Sequence, residues 1–198
     1  MHNYSIINSK MRITVISTIA IISAYVALVL NLYLEVLSTN IPMTMYLLPL
    51  SPFILFGILY YFFDIVLWKL KPINKLLEIP DISGAWKGEG QTTYNNSKPT
   101  KFNVELNIKQ TFSRIIIDGK FYQSYSESIN ASVDCSNPLR RKLVYSYTNK
   151  PQATTTKTMQ NHIGTVELCL NEKSTKLEGN YFTNRKPLTS GTLKLSVK

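Results

Sequence analysis

Between Tyr145 and Arg185 the chain carries side chains suited to holding a small anionic molecule with aromatic rings. Tyr145 and Tyr147 lie two apart in KLVYSYTN, and Thr154, Thr155 and Thr156 follow in the next loop. His162 opens the apolar run HIGTVELCL, and Tyr181, Thr183 and Arg185 alternate through KLEGNYFTNR. Residues two apart on an extended chain share a face, so these groups converge if their strands are neighbours. Arginine grips phosphate through a two-pronged hydrogen-bonding edge. Hydroxyls donate to phosphate oxygens, and tyrosine faces stack on bases. The same residues also admit a plain structural account, with tyrosines filling a narrow barrel and Arg185 at its solvated rim.

Catalytic patterns are missing. There is no Walker loop, no G-x-S-x-G and no H-E-x-x-H. The two histidines are His2, near the start, and His162, and the two cysteines, Cys135 and Cys169, form no metal or redox spacing. No enzyme activity, metal or cofactor is expected. Cys169, inside VELCL, reads as a small buried hydrophobe, and a disulfide is not expected. The net charge of +10 is unevenly spread. Residues 1–79 hold 5 Lys/Arg and 3 Asp/Glu, a net of +2, which leaves 17 against 9, or +8, on residues 80–198. Such a balance suits acidic headgroups, a nucleotide or nucleic acid. It equally suits a protein that simply resides at an anionic membrane.

The elements that must position these groups are strands. From Asp81 onward the apolar period is two. Phe102, Val104, Leu106 and Ile108 share a face. So do Leu143, Tyr145 and Tyr147; His162, Gly164, Val166, Leu168 and Leu170; Leu177, Gly179, Tyr181, Thr183 and Arg185; and Leu193, Leu195 and Val197. About eight short strands with turn signals between them predict an antiparallel eight-stranded β-barrel, lipocalin-like, over 80–198, with a sandwich as the other solution. Eight strands enclose just enough room for packed side chains or one small ligand. Trp86 is expected to plug one end.

Ahead of the barrel lie two apolar arms. The expected order is a polar tail, 1–12; a first transmembrane helix, 13–37; a periplasmic loop, 38–44; a second transmembrane helix, 45–68; and a basic linker, 69–79. Each arm exceeds the ~20 residues needed to cross a bilayer. Lys10 and Arg12 precede the first, Lys69, Lys71 and Lys75 follow the second, and the loop has no basic residue. The positive-inside rule then puts both termini in the cytoplasm. A cleaved signal peptide is the competing reading, but the first run is too long and a second follows. Ala20 and Ala24, like Ser23 and Ala27, are small-xxx-small pairs that permit close helix approach. Asn31 and Asp64 are polar groups that favour a bundle interior over lipid, although Asp64 lies close enough to the interface to reach Lys69.

The layout resembles a known family. Two apolar helices precede a β-rich domain with Asp81-Ile82-Ser83-Gly84-x-Trp86-x-Gly88, Leu143-x-Tyr145-x-Tyr147, His162-x-Gly164-Thr165, Leu177-x-Gly179-x-Tyr181-x-x-x-Arg185 and Gly191-x-Leu193. This is similar to CD-NTase-associated protein 15, the two-transmembrane, strand-rich effector family of bacterial CBASS anti-phage systems. The resemblance implies an inner-membrane protein whose cytoplasmic barrel senses a cyclic dinucleotide from a cognate nucleotidyltransferase. It further implies homo-oligomerisation in the lipid bilayer, membrane disruption and death of the infected cell, with no nucleic-acid polymer as partner. A membrane-tethered lipocalin-like carrier of a small apolar ligand, or a membrane scaffold, is the alternative.

Overall fold

The structure is a computed structural model that describes residues 1–6, 9–38, 51–93, 99–121, 123–137, 139–152, 161–185 and 188–197. The chain falls into two units, one of residues 9–73 and one of residues 1–8 together with 74–198.

The smaller unit is helical. Helix α1, Ser9–Ser38, has 30 residues, about 45 Å at ~1.5 Å per residue. Its stretch Met11–Val36 is long and apolar enough to cross a membrane, which suggests membrane anchoring. Helix α2, Pro52–Ile65, has 14 residues; Ser51 caps it, accepting from the Phe53 amide at 3.3 Å, and Pro52 stands in its first turn. The described part of the expected second span is therefore too short to cross alone, and residues 39–50 lie outside the described residues. The two helices pack on each other. On α1, Ile19, Ser23 and Ala27 form a buried stripe, with Ser23 Oγ donating to the Ile19 carbonyl at 2.6 Å. Ala20 and Ala24 are exposed, and Asn31 and Asp64 are half-buried. A short 3₁₀ turn, Leu67–Lys69, and helix α3, Lys71–Leu77, complete the connection.

The larger unit is a closed antiparallel barrel of eight strands. These are β3 (Gly84–Thr93), β4 (Thr100–Gln110), β5 (Arg114–Phe121), β6 (Ser124–Asp134), β7 (Lys142–Pro151), β8 (His162–Leu170), β9 (Lys176–Thr183) and β10 (Thr189–Val197). Each pairs with its chain neighbour, β10 pairs back onto β3, and β5–β6 completes the ring. The alternation in the sequence matches the burial: Val104, Leu106 and Ile108 face in on β4, Leu143, Tyr145 and Tyr147 on β7, and Leu168 and Leu170 on β8. Val197 differs. It pairs with Trp86 as the last residue of β10 and is exposed.

One half of the barrel is solid. Ile82, Trp86, Leu106, Phe112, Ile115 and Leu143 are essentially inaccessible to solvent. Trp86 lies across this base, its indole N–H donating to the Ile82 carbonyl at 2.9 Å, as a buried indole requires. The base is thus an apolar plug, and among the described residues the cavity lies in the opposite half.

The opening residues, expected as a polar tail, are part of this barrel unit. They form β1 (His2–Asn3) and β2 (Ser5–Ile6), which pair with β5 and β6, and Tyr4 and Ile6 are buried. Two-residue strands are too short to show a period, so the sequence gives no sign of them.

Candidate functional site

The open half of the lumen is a cavity of about 380 Å³, within the range of small-molecule sites. Tyr145, Tyr147, His162, Tyr181, Thr183 and Arg185 all line it. Thr154, Thr155 and Thr156 lie outside the described residues.

Two groups of rings line this space. On β7 and β8, Tyr145 and Tyr147 stand 6.2 Å apart, and the His162 ring meets Tyr147 edge-on at 6.3 Å. On β4, β5 and β9, Phe102 lies 6.1 Å from Phe121 and 6.2 Å from Tyr181. Such offset and edge-on contacts stabilise aromatic groups beyond area burial.

Glycines make room for the rings. Tyr147 is paired with Gly164, Phe102 with Gly90 and Tyr181 with Gly191. A Cβ at Gly164 would lie 2.4 Å from Tyr147 Cζ, one at Gly90 would lie 2.2 Å from Phe102 Cζ, and one at Gly191 would lie 2.6 Å from Tyr181 Cε1. Each ring therefore lies over the bare backbone of the next strand, which keeps it against the wall and leaves the lumen open. Tyr147 and Tyr181 thus border a cavity that they do not fill.

Between the rings are polar groups on short side chains. Ser124 and Ser126 on β6, Asn149 on β7, and the cross-strand pair Thr183 and Thr189 are all buried and line the cavity. Arg185 follows β9 at the mouth, its backbone amide donating to Thr183 Oγ1 at 3.5 Å. Among the described lining residues there is no carboxylate. Burial pushes the Tyr145 and Tyr147 hydroxyls well above the ordinary phenol range; for Tyr147 the neighbouring Tyr181 adds to the rise and Arg185 opposes it. Burial also raises Tyr181, again against the pull of Arg185. All three rings therefore stay neutral hydrogen-bond donors at physiological pH. Among the described residues, no group of three or more His, Cys, Asp or Glu could hold a metal ion.

Phe121, Asn149, Ser124 and Ser126 were not singled out from the sequence. Extending the Leu143-Tyr145-Tyr147 alternation by one step reaches Asn149, and Ser124-x-Ser126-x-Ser128 is itself a period-two row. Phe102 was placed on the inward face but without a role in a site. What the sequence lacked was the register that brings it beside Tyr181.

Comparison with known proteins adds two findings. Residues 77–196 match the family model described as Cap15, cyclic dinucleotide receptor domain. CD-NTase-associated protein 15 of Yersinia aleksiciae is 27% identical over 205 residues, covering 98% of this chain and 96% of that protein.

Proposed function

The chain belongs to the Cap15 cyclic dinucleotide receptor family, and from that membership we propose that its barrel cavity binds a cyclic dinucleotide and thereby controls the membrane helices. The observation that carries this reading is the lining itself: aromatic rings, buried hydroxyls, one arginine and no carboxylate among the described lining residues. A cyclic dinucleotide presents two bases and two phosphodiesters. The pair Tyr147 and His162 and the pair Phe102 and Tyr181 offer faces and edges to the bases. Arg185 and the hydroxyls of Thr183 and Thr189 offer donors to the phosphates. Arg185, Asn149 and the threonines along the lining are groups with which an apolar cargo could form no hydrogen bond, which disfavours the carrier alternative.

The rest of the reading follows the family. The ligand comes from a cognate nucleotidyltransferase of a CBASS anti-phage system. Residues 13–37 and 45–68 both cross the inner membrane, with the termini and the barrel in the cytoplasm. The ligand favours an assembled state, and assembly brings the hairpins together and disrupts the bilayer. A ligand shifts such an equilibrium only by its differential affinity for the two states. Ala20 and Ala24, exposed on α1, together with Asn31 and Asp64, are the proposed contacts between copies.

The test is co-expression of the full chain with cyclic dinucleotide synthases of differing product, with inner-membrane permeability as the readout. Permeability should rise with at least one synthase and not with its inactive form. Unchanged permeability with every synthase, despite confirmed product, would refute the effector mechanism.

A further inference from the structure

One seam of the barrel is closed by its own strands over only part of its length. Strands β5 and β6 pair only from Asp118↔Glu127 to Phe121↔Ser124, at the cavity end. Below Glu127, Ile129 is inserted as a bulge against β7, which bends β6 away from β5. Residues 1–6 occupy the gap. His2 and Asn3 pair with Ile115 and Arg114 on one side, and Ser5 and Ile6 pair with Ser132 and Val133 on the other. Tyr4, between them, is 2% exposed.

The strap touches β6 one inward step beyond the cavity lining. Where the strands part, the Ile117 amide donates to Ser128 Oγ at 2.9 Å. Ser128 Oγ is also 2.8 Å from His2 Nε2, and His2 Nδ1 is 3.2 Å from the Asn3 carbonyl. With Nδ1 donating to that carbonyl, Ser128 donates to Nε2, and every polar group has a partner. Ser128 is the next inward residue after Ser124 and Ser126, both of which line the cavity.

A second tie joins the strap to the linker. The buried amide of Gln110 donates to Tyr4 Oη at 3.0 Å and to the Pro80 carbonyl at 3.2 Å, and its oxygen accepts from the Ile82 amide at 2.9 Å. Tyr4 Oη in turn donates to the Thr111 carbonyl at 3.3 Å. Tyr4, five positions ahead of Ser9, and Pro80, seven positions behind residue 73, therefore meet in a single buried hydrogen-bond cluster.

We propose that residues 1–6 are the receptor's transmitting element: they close the β5–β6 seam beneath the cavity, and ligand contact with the β6 wall loosens them and so alters the tether on α1. This rests on the cavity being the ligand site. Covalent continuity is all the transmission needs, because Ile6 lies three positions ahead of Ser9, where α1 begins.

The experiment uses the full chain in liposomes of phosphatidylethanolamine and phosphatidylglycerol, with Cys135→Ser and Cys169→Ser as background. Asn3→Cys with Arg114→Cys then forms a directly opposed antiparallel pair, whose ~4.5–5.5 Å Cα separation suits a disulfide. The probes are cyclic di-AMP, cyclic di-GMP, cyclic di-UMP, cyclic AMP–GMP and cyclic UMP–AMP. A compound that binds should slow formation of the 3–114 disulfide at least fivefold. The oxidised protein should still bind it within about threefold of the reduced affinity, but release at least tenfold less dye, with reduction restoring release. Binding with an unchanged crosslinking rate, or dye release from the locked protein equal to that of the reduced one, overturns the proposal. Absence of binding by every probe would count against the cavity reading instead. In that case Ser126→Leu, which crowds the β6 wall without any ligand, decides the strap. A changed crosslinking rate in the folded variant supports the coupling, and an unchanged rate overturns it.

Discussion

Replacing Gly164 with alanine should damage the cavity more than the fold. The new Cβ would stand 2.4 Å from Tyr147 Cζ and Oη and 2.6 Å from Cε1. Ordinary contact begins at 3.4 Å, so the ring must retreat by about 1 Å; the backbone behind it is held by pairing on both sides with β6 and β8. The retreat is therefore into the lumen, and it also breaks the edge-on contact with His162. Base–aromatic stacking contributes about 1–3 kcal/mol per base. Losing one such contact weakens binding about 5- to 150-fold, since ~1.4 kcal/mol is tenfold. Crowding at a site that can relax costs the fold about 1 kcal/mol, the low end for overpacking. Titration calorimetry of the detergent-solubilised full chain, paired with thermal melting, measures both. Gly179→Ala is the control. Its Cβ would meet the Glu167 carbonyl oxygen at 2.0 Å and Leu168 Cα at 2.9 Å, where only backbone can yield, so the loss should be in stability. Wild-type affinity in a folded Gly164→Ala protein would refute the view that glycine holds the ring against the wall.

Three further outcomes are expected. Arg185→Ala should weaken cyclic dinucleotide binding about 10- to 150-fold, as for a lost hydrogen bond to a charged group of ~1.5–3 kcal/mol, and flatten its salt dependence; calorimetry at two ionic strengths checks this, and unchanged affinity would leave Arg185 as rim. Gln110→Leu should destabilise the barrel by about 1–3 kcal/mol, because the Ile82 amide and Tyr4 lose a buried partner; denaturant unfolding measures it. Alkaline pH should destabilise the barrel through its buried tyrosines. Tyr145, Tyr147 and Tyr181 are all raised, so their contribution is complete below about pH 10, where unfolded tyrosines ionise. It is lost as pH rises beyond that, because the unfolded state then binds fewer protons. Tyrosinate absorbance from these three should therefore appear together with unfolding. Reversible ionisation near pH 10 in a folded barrel would contradict it.

Much of the barrel was legible because its strands alternate. A lumen gives every strand one buried face, so Leu143-Tyr145-Tyr147 and Val104-Leu106-Ile108 declare themselves by period alone. What alternation does not carry is register. That Tyr147 meets Gly164 and Tyr181 meets Gly191 decides whether the rings fill the lumen or pave it, and nothing in either strand alone says which. The strap was hidden for a different reason: His2 to Ile6 is too short for a period, and its pairing depends on a bulge at Ile129 more than a hundred residues away. On α1 the Ser23 and Ala27 pair lies on the buried stripe, whereas Ala20 and Ala24 face outward. Spacing alone treats the two pairs as equivalents.

The central claim is that the cavity binds a cyclic dinucleotide, and calorimetric titration of the full chain with a panel of these compounds tests it most directly. Saturable binding of at least one member, weakened at least tenfold in the folded Gly164→Ala and Arg185→Ala proteins, is the result expected. No heat from any member with a folded barrel, or binding indifferent to both substitutions, would contradict it.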